Sequence, residues 1–246
     1  MSSVLERLAE GEPVGVAELS KEFRVATATI RRDLAVLEDQ RLLVRTHGGA
    51  LARAVSYELP LRYKAVRHAE EKRRIAREAA SRVKEKMAVG LTGGTTSTEV
   101  ARALADRQGL TIVTNSLNIA AELAIRPNLK LVVTGGVARS HSYELSGPLT
   151  EASLAGLNLD LMFVGVDGIS VRGGCTTHQD VEAQSNAAMI RRAKQAVVVA
   201  DRSKIGHDAF ARICELADVD ELVTDVSADA EALRQLEAAG LRVTLV

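Results

Sequence analysis

Residues 87–97 read Met87-Ala88-Val89-Gly90-Leu91-Thr92-Gly93-Gly94-Thr95-Thr96-Ser97, and this stretch decides the fold of the larger part of the chain. A short apolar run passes into a glycine turn and then into hydroxyl residues that open a helix, expected from Thr98 to about Arg107. The same order recurs downstream. Strands are expected at Thr111-Ile112-Val113, Leu129 to Val133, Leu161 to Gly165, Ala196 to Val199, Leu222-Val223 and Val243 to Leu245, with helices between most of them. A charged helix from Glu70 to about Lys86 precedes the first strand. The apolar runs are continuous rather than alternating, so both faces of the sheet should be covered. Alternation of strand and helix implies an α/β domain with a doubly wound, mostly parallel, Rossmann-like sheet.

Polar residues gather where these strands end: Thr92-Gly93-Gly94-Thr95-Thr96-Ser97, Thr114-Asn115-Ser116, Thr134-Gly135-Gly136, Asp167-Gly168 and Asp201-Arg202-Ser203-Lys204. In an open parallel sheet, ligands sit outside the carboxyl ends of the strands. Glycines let backbone N–H groups approach an anion, and a helix N-terminus favours negative charge. The candidate ligand-binding residues are therefore Thr92, Gly94, Thr95, Thr96, Asn115, Ser116, Gly135, Gly136, Asp167, Glu182 and Lys204. Lys204 could donate to the anion and Asp167 could accept from sugar hydroxyls; Glu182 begins a helix and would also serve its dipole. The Gly-Lys-Ser/Thr element of a nucleotide P-loop is missing, and no Gly-x-Gly-x-x-Gly follows a strand, so no dinucleotide or other cofactor is expected.

The first fifty residues follow a different rule. Apolar residues recur at helical spacing at Val4, Leu5 and Leu8, at Val16, Leu19 and Phe23, and at Ile30, Leu34 and Leu37. Leu42-Leu43-Val44 then reads as a strand, His47-Gly48-Gly49 as a turn, and Ala50-Leu51 as the returning strand. Three short helices and a hairpin make a winged helix-turn-helix. On the third helix, Ala28, Arg32 and Ala35 point away from the apolar seam, and Thr29 and Arg31 flank them. Small outward residues beside arginines allow close approach to a major groove, where Arg can bond guanine edges or phosphates. Thr27, Ala28, Thr29, Arg31, Arg32, Arg45 and His47 are the candidate DNA contacts. Arg31-Arg32 would equally suit a solvated helix face, and from Arg24 to Arg53 the excess of 6 basic over 3 acidic residues is mild.

Residues 54–69 hold no period, contain Pro60 and several charges, and read as a linker. The expected organisation is 1–53 as the DNA-binding domain, 54–69 as linker and 70–246 as the ligand-sensing domain. The net charge of +0 means that affinity for nucleic acid must come from a local patch. The 2 cysteines, Cys175 and Cys214, lie far apart in sequence, which supports neither a disulfide framework nor a cysteine zinc site and suits a reducing cytoplasm. No metal is expected. The start of the chain does not read as a signal peptide, no apolar run could span a bilayer, and the scarcity of aromatics disfavours a base-stacking sheet for single strands.

Thr29-Ile30-Arg31-Arg32-Asp33-Leu34, then Leu37-Glu38, then Leu42-Leu43-Val44-Arg45-Thr46-His47-Gly48-Gly49-Ala50, resembles the signature of the DeoR-type head. Val113 to Ala120, Gly135-Gly136, Gly147-Pro148, Gly165 to Ile169 and Ala200 to Lys204 resemble the DeoR C-terminal sensor. The resemblance implies a bacterial transcription regulator, more often a repressor, of carbohydrate metabolism. Its sensor would be related in fold to ribose-5-phosphate isomerase and would bind a sugar phosphate, with the threonine loop and Lys204 on the phosphate. Two departures stand out. Ala26 replaces a usual Ser that would cap the recognition helix, worth about 1 kcal/mol, and Thr27 stands in reach to take over. Thr92-Gly93 replaces a frequent Asp-Ser.

Expected partners are double-stranded operator DNA, a phosphorylated sugar effector and further copies of the chain, as a homodimer or homotetramer, because helix-turn-helix proteins read paired half-sites. An alternative class is a sugar-phosphate isomerase-like enzyme with an appended DNA-binding head, with Asp167 or Glu182 as base. The second acid after Asp-Gly and the Lys-Gly-Gly-Gly run of such isomerases are absent: this chain has Gly168-Ile169-Ser170 and Arg172-Gly173-Gly174-Cys175. The expectation is a non-enzyme. A pure interaction module with a vestigial pocket is the third class.

Overall fold

The computed structural model describes Val4, Arg7 and residues 13–39, 43–46, 48–52 and 60–246. They divide into two compact units, with the boundary between Leu59 and Pro60.

In the N-terminal unit, β1 (Val14–Gly15) leads into α1 (Val16–Phe23), and α2 (Thr27–Asp39) packs on it. Val4 and Arg7 are helical; Leu5 and Leu8, expected on the same helix, lie outside the described residues. Leu19, Ile30, Leu34 and Leu37 are fully buried, as the three-and-four spacing requires. Arg24 ends α1 in the left-handed conformation and sets the tight turn into α2. The carbonyl of Ala26 accepts the first bonds of α2, from Thr29 and Ile30, so Ala26 holds the capping position with a side chain that cannot cap. The hairpin is β2 (Leu43–Thr46) with β3 (Gly49–Ala52), turned at Gly48 with φ 98°. A third strand was not expected: β1 pairs antiparallel with β3, Val14 opposite Ala50. It comes so close that a Cβ on Gly49 would lie 2.1 Å from the Val14 carbonyl oxygen.

The C-terminal unit begins ten residues earlier than the sequence pattern indicates. The expected linker extends to residue 69, but Pro60 onward is part of this unit, and residues 53–59 lie outside those described. In α3 (Leu61–Lys64), Leu61 and Tyr63 are buried, and the Leu61 N–H donates to the His141 carbonyl at 2.9 Å. The segment is too short to show a period, which is why it reads as linker. The charged helix α4 (Ala69–Ala80) also ends sooner than expected, at Ser81.

The central sheet has 7 strands, all joined in parallel pairs. They are β4 (Ala88–Leu91), β5 (Thr111–Thr114), β6 (Lys130–Val133), β9 (Leu161–Val164), β12 (Ala196–Val199), β14 (Glu221–Thr224) and β15 (Arg242–Leu245). Their order is β15-β14-β12-β9-β4-β5-β6. The chain winds outward from β4 to β6, then returns to the other side of β4 at β9. The order therefore reverses between β4 and β9, the switch point where open sheets form a crevice. One core places Val89, Leu91, Phe163 and Val197 against Ile75 and Ala79 of α4 and Val100 and Leu104 of α5 (Thr95–Leu104). The opposite face buries Met162, Val164 and Val198 against α8 (Asp180–Ile190) and α9 (Ala230–Ala238). Two covered faces account for the unbroken apolar runs. The remaining helices are α6 (Leu117–Leu123) and α7 (Pro148–Leu154).

Two small antiparallel additions escape the sequence pattern: β7 (Val137–Ala138) with β8 (Leu145–Ser146), and the sheet β10-β11-β13 (Gly168–Ser170, Gly174–Thr177, Ala211–Cys214). In the latter, Cys175 and Cys214, distant in sequence, are cross-strand partners, and both are free thiols. No helix among the described residues is long and apolar enough to cross a membrane.

Candidate functional site

Because the sheet is parallel, every strand delivers its following loop to the same edge. The loop after β4 and the loop after β9 clasp each other at the switch point. Thr92 Oγ1 accepts from the Gly165 N–H at 2.8 Å, and a Cβ on Gly165 would lie 2.6 Å from the Gly93 carbonyl oxygen. Thr92 is thus spent on holding the crevice together. Gly94, with φ 107°, caps α5, which starts at Thr95 and not at the expected Thr98. The backbone N–H groups of Thr95, Thr96 and Ser97 are the first three of a 10-residue helix and have no intrahelical acceptor. The early start comes from the glycine: once Gly94 takes the positive φ, threonine can enter the helix directly.

On the β9 side, Asp167 collects cations. Lys64 Nζ lies 2.9 Å from Asp167 Oδ1, Lys204 Nζ 3.5 Å and His178 Nε2 3.8 Å, and Thr177 Oγ1 donates to Oδ2 at 3.1 Å. Burial pushes the Asp167 carboxyl up, but Lys64, Lys204 and His178 outweigh it and hold the group far below the usual carboxylate range. Burial holds the Lys204 ammonium below its usual value against the attraction of Asp167. Behind this pair, Lys72 donates to the carbonyls of Lys64 at 2.7 Å and Arg67 at 2.6 Å and lies 3.6 Å from Asp201. Burial lowers the Lys72 ammonium to about 8 against that carboxylate.

Past β5, Asn115 and Ser116 are fully buried. Ser116 Oγ donates to Asn118 Oδ1 at 2.7 Å, which places it in the wall. Asn115 Nδ2 donates to Glu144 Oε2 at 3.2 Å and to Asn186 Oδ1 at 3.1 Å. Past β6, the Gly135 N–H donates to Ser153 Oγ at 3.1 Å and its carbonyl accepts from Thr150, so the Gly135-Gly136 turn is fastened to α7. Glu182 is the third residue of α8 and is buried, its carboxylate accepting from Arg139 and Ser142, so it does more than serve the helix dipole.

The sequence pattern missed Lys64, Glu144, His178 and Asn186. Lys64 lies in a stretch with no period, and Glu144 stands alone in a polar turn without motif. Among the described residues, the buried side-chain oxygens that lack a hydrogen-bond partner are Ser97 Oγ, Asn115 Oδ1, Thr134 Oγ1 and Thr224 Oγ1. Thr224 ends β14, Asn115 and Thr134 follow β5 and β6, and Ser97 is the third residue of α5, so all four lie toward the carboxyl edge of the sheet, spread from β14 to β6. Proteins normally satisfy such atoms.

In the N-terminal unit, Thr27, Ala28, Thr29, Arg31 and Arg32 are all exposed on α2, while Ile30, Leu34 and Leu37 are buried; of the exposed set, Ala28 and Arg32 lie opposite the buried face. Arg45 is exposed on β2; its N–H donates to Glu38 Oε1 at 3.2 Å and its guanidinium lies 3.8 Å from Glu38 Oε2. His47 lies outside the described residues.

Comparison with known proteins agrees with this division. Residues 2–54 match the DeoR-like helix-turn-helix domain and residues 67–226 the DeoR C terminal sensor domain. The HTH-type transcriptional regulator GlpR of Haloferax volcanii is 36% identical over 241 residues, covering 98% of this chain and 94% of that protein. The glycerol-3-phosphate regulon repressor of Escherichia coli is 32% identical over 224 residues, covering 91% and 89%. A ribose 5-phosphate isomerase A from Methanocaldococcus jannaschii aligns over 56% of this chain and 54% of its own, with 21% identity and a TM-score of 0.42. With an arginine-bearing helix in a winged N-terminal unit, a polar-rimmed parallel sheet in the C-terminal unit, and both family patterns in order along its length, the chain is a member of the DeoR family of DNA-binding transcription regulators.

Proposed function

We propose that the C-terminal unit binds a phosphorylated sugar or polyol at the β4/β9 crevice and that binding changes the affinity of the head for operator DNA. One observation carries the reading: the free N-terminus of α5 and Asp167 belong to the two loops that meet at the switch point, and Lys204 reaches Asp167 from the loop after β12. The N–H groups of Thr95, Thr96 and Ser97 and the hydroxyls of Thr95 and Thr96 suit a phosphate, and Lys204 adds a cation. Asp167, held ionised, accepts from hydroxyls. The name of the Escherichia coli relative, a glycerol-3-phosphate regulon repressor, supports a phosphorylated polyhydroxy ligand.

On the DNA side, Arg31 and Arg32 enter the major groove, with Thr27, Ala28 and Thr29 against the backbone and Arg45 and His47 at the wing. The chain works as a repressor and not as an enzyme, and as a homodimer or homotetramer that presents paired heads to paired half-sites. Effector and operator affinities are linked reciprocally, so an effector that releases DNA binds the DNA-free form more tightly.

A thermal-shift series with phosphorylated sugars, the same sugars without phosphate, and inorganic phosphate tests the reading. A ligand at a hundredfold its Kd adds about 2.7 kcal/mol, and the shift is expected only with the phosphorylated forms. No shift with any of them would overturn it in favour of an interaction module.

A further inference from the structure

Glu144 is a buried carboxyl with no cation among the described residues within ion-pair reach. It stands on the turn between β7 and β8 and forms a bridge to Ser116, just past the end of β5. Its Oε2 accepts from Asn115 Nδ2 at 3.2 Å and from Asn186 Nδ2 at 3.3 Å. Its other face fills the space above Gly93: a Cβ built on that glycine would lie 2.4 Å from both Cγ and Oε1 of Glu144. Thr92-Gly93 leaves the crevice loop with no acid of its own, and Glu144 brings a carboxyl to that loop from another part of the chain.

Isolated buried carboxyls are costly, and a purely structural polar cluster would be expected to close on itself. This one does not close. Asn115 Nδ2 donates to Glu144, Asn186 and, at 3.3 Å, the Leu145 carbonyl, while Asn115 Oδ1 is buried with no donor. An acceptor without a donor, beside a carboxyl oxygen packed against the crevice loop, can take a hydrogen bond from a ligand O–H. The N–H donors at the start of α5 belong to the backbone there and face the phosphate end. A ligand hydroxyl donates to Asn115 Oδ1 or to the carboxyl, and its oxygen accepts in return.

We propose that Glu144 and Asn115 form the hydroxyl-reading end of the effector pocket and select phosphate monoesters of polyhydroxy compounds over simple alkyl phosphates. The proposal rests on the reading of the crevice as a phosphate site and adds to it a residue that decides specificity.

Calorimetric titration of the full chain with ribose 5-phosphate, fructose 6-phosphate and glycerol 3-phosphate, each against propyl phosphate, tests it. At least one hydroxylated ester is expected to bind the wild type tenfold or more tightly than propyl phosphate. In Glu144→Leu that margin is expected to fall below threefold, and in Glu144→Gln, which keeps polar atoms at the same place, to survive. Gly93→Ala supplies an independent route, since its methyl group displaces the Glu144 side chain without altering it; the margin is expected to collapse there too. A margin retained in both Glu144→Leu and Gly93→Ala, or absent from the wild type while propyl phosphate binds, would overturn the proposal and leave the phosphate reading standing. Failure of every ester, propyl phosphate included, would overturn the phosphate reading and this proposal with it.

Discussion

Lys64 Nζ sits 2.9 Å from Asp167 Oδ1, which ties the first helix of the C-terminal unit to the loop after β9. The contact spans 103 residues of sequence and is partly buried at both ends. Lys72 fixes the same helix from behind through the Lys64 carbonyl. The segment that follows the DNA-binding head in the chain is therefore bonded to a residue of the candidate pocket.

Lys64→Met should destabilise the C-terminal unit by about 1–3 kcal/mol, the range for leaving a buried partner short of a bond. Lys204 and His178 still face Asp167, which keeps the loss below that for an isolated buried charge. A double-mutant cycle with Asp167→Asn in urea melts should give a coupling of at least about 1 kcal/mol. Additive losses would show that the contact does not hold the two elements together.

Glu144 gives stability a pH dependence of definite sign. Burial first, and the neighbouring Glu182 carboxylate second, push its carboxyl up to about 8; Asp167 acts in the same direction, and bonds from Asn186 and Asn115 oppose. A carboxyl whose folded value is raised contributes fully below the unfolded value of 4.5, and that contribution is lost as pH rises towards 8. Glu144→Gln does not titrate, so it should gain on the wild type across that window by on the order of a few kcal/mol. Melting curves at stepped pH check this, and parallel profiles would contradict it. Asp167 behaves oppositely: its contribution is lost only as pH falls towards its depressed folded value.

Arg32→Ala should weaken operator binding by about 1–3 kcal/mol if the guanidinium reads a base. Because Arg32 is exposed, the melting temperature should hardly move. Gel-shift affinity equal to the wild type would remove Arg32 from the interface.

Lys204→Ala should abolish the thermal shift given by phosphorylated sugars while the head still binds DNA. A normal shift would show that the ammonium serves only Asp167.

The sequence was most legible where one residue type repeats at a fixed interval. Ile30, Leu34 and Leu37 announce the buried face of α2, and the unbroken runs Leu161 to Val164 and Ala196 to Val199 announce strands covered on both sides. The glycine turn after Leu91 shows where the crevice lies, although Gly94 lets the helix begin three residues sooner than its hydroxyls suggest. Single polar residues were illegible. Lys64 and Glu144 reach the rim because tertiary packing carries them there, and nothing in their neighbours' spacing encodes that. The strand Val14–Gly15 and the small sheet around Cys175 were missed for a related reason: these two- to four-residue strands have neither an unbroken apolar run nor room for a clear alternation. Glu182, read as a helix-dipole partner as well as a ligand group, also accepts from Arg139 and Ser142, which no local spacing announces.

The most direct test joins the two halves of the account. Operator DNA bound to the full chain is titrated, in a mobility-shift assay, with the phosphorylated sugar that raises the melting temperature most. The account predicts that the bound fraction changes over the same concentrations that raise the melting temperature, and that Lys204→Ala binds the DNA but ignores the sugar. Occupancy of DNA that stays constant while the sugar saturates the protein would contradict it.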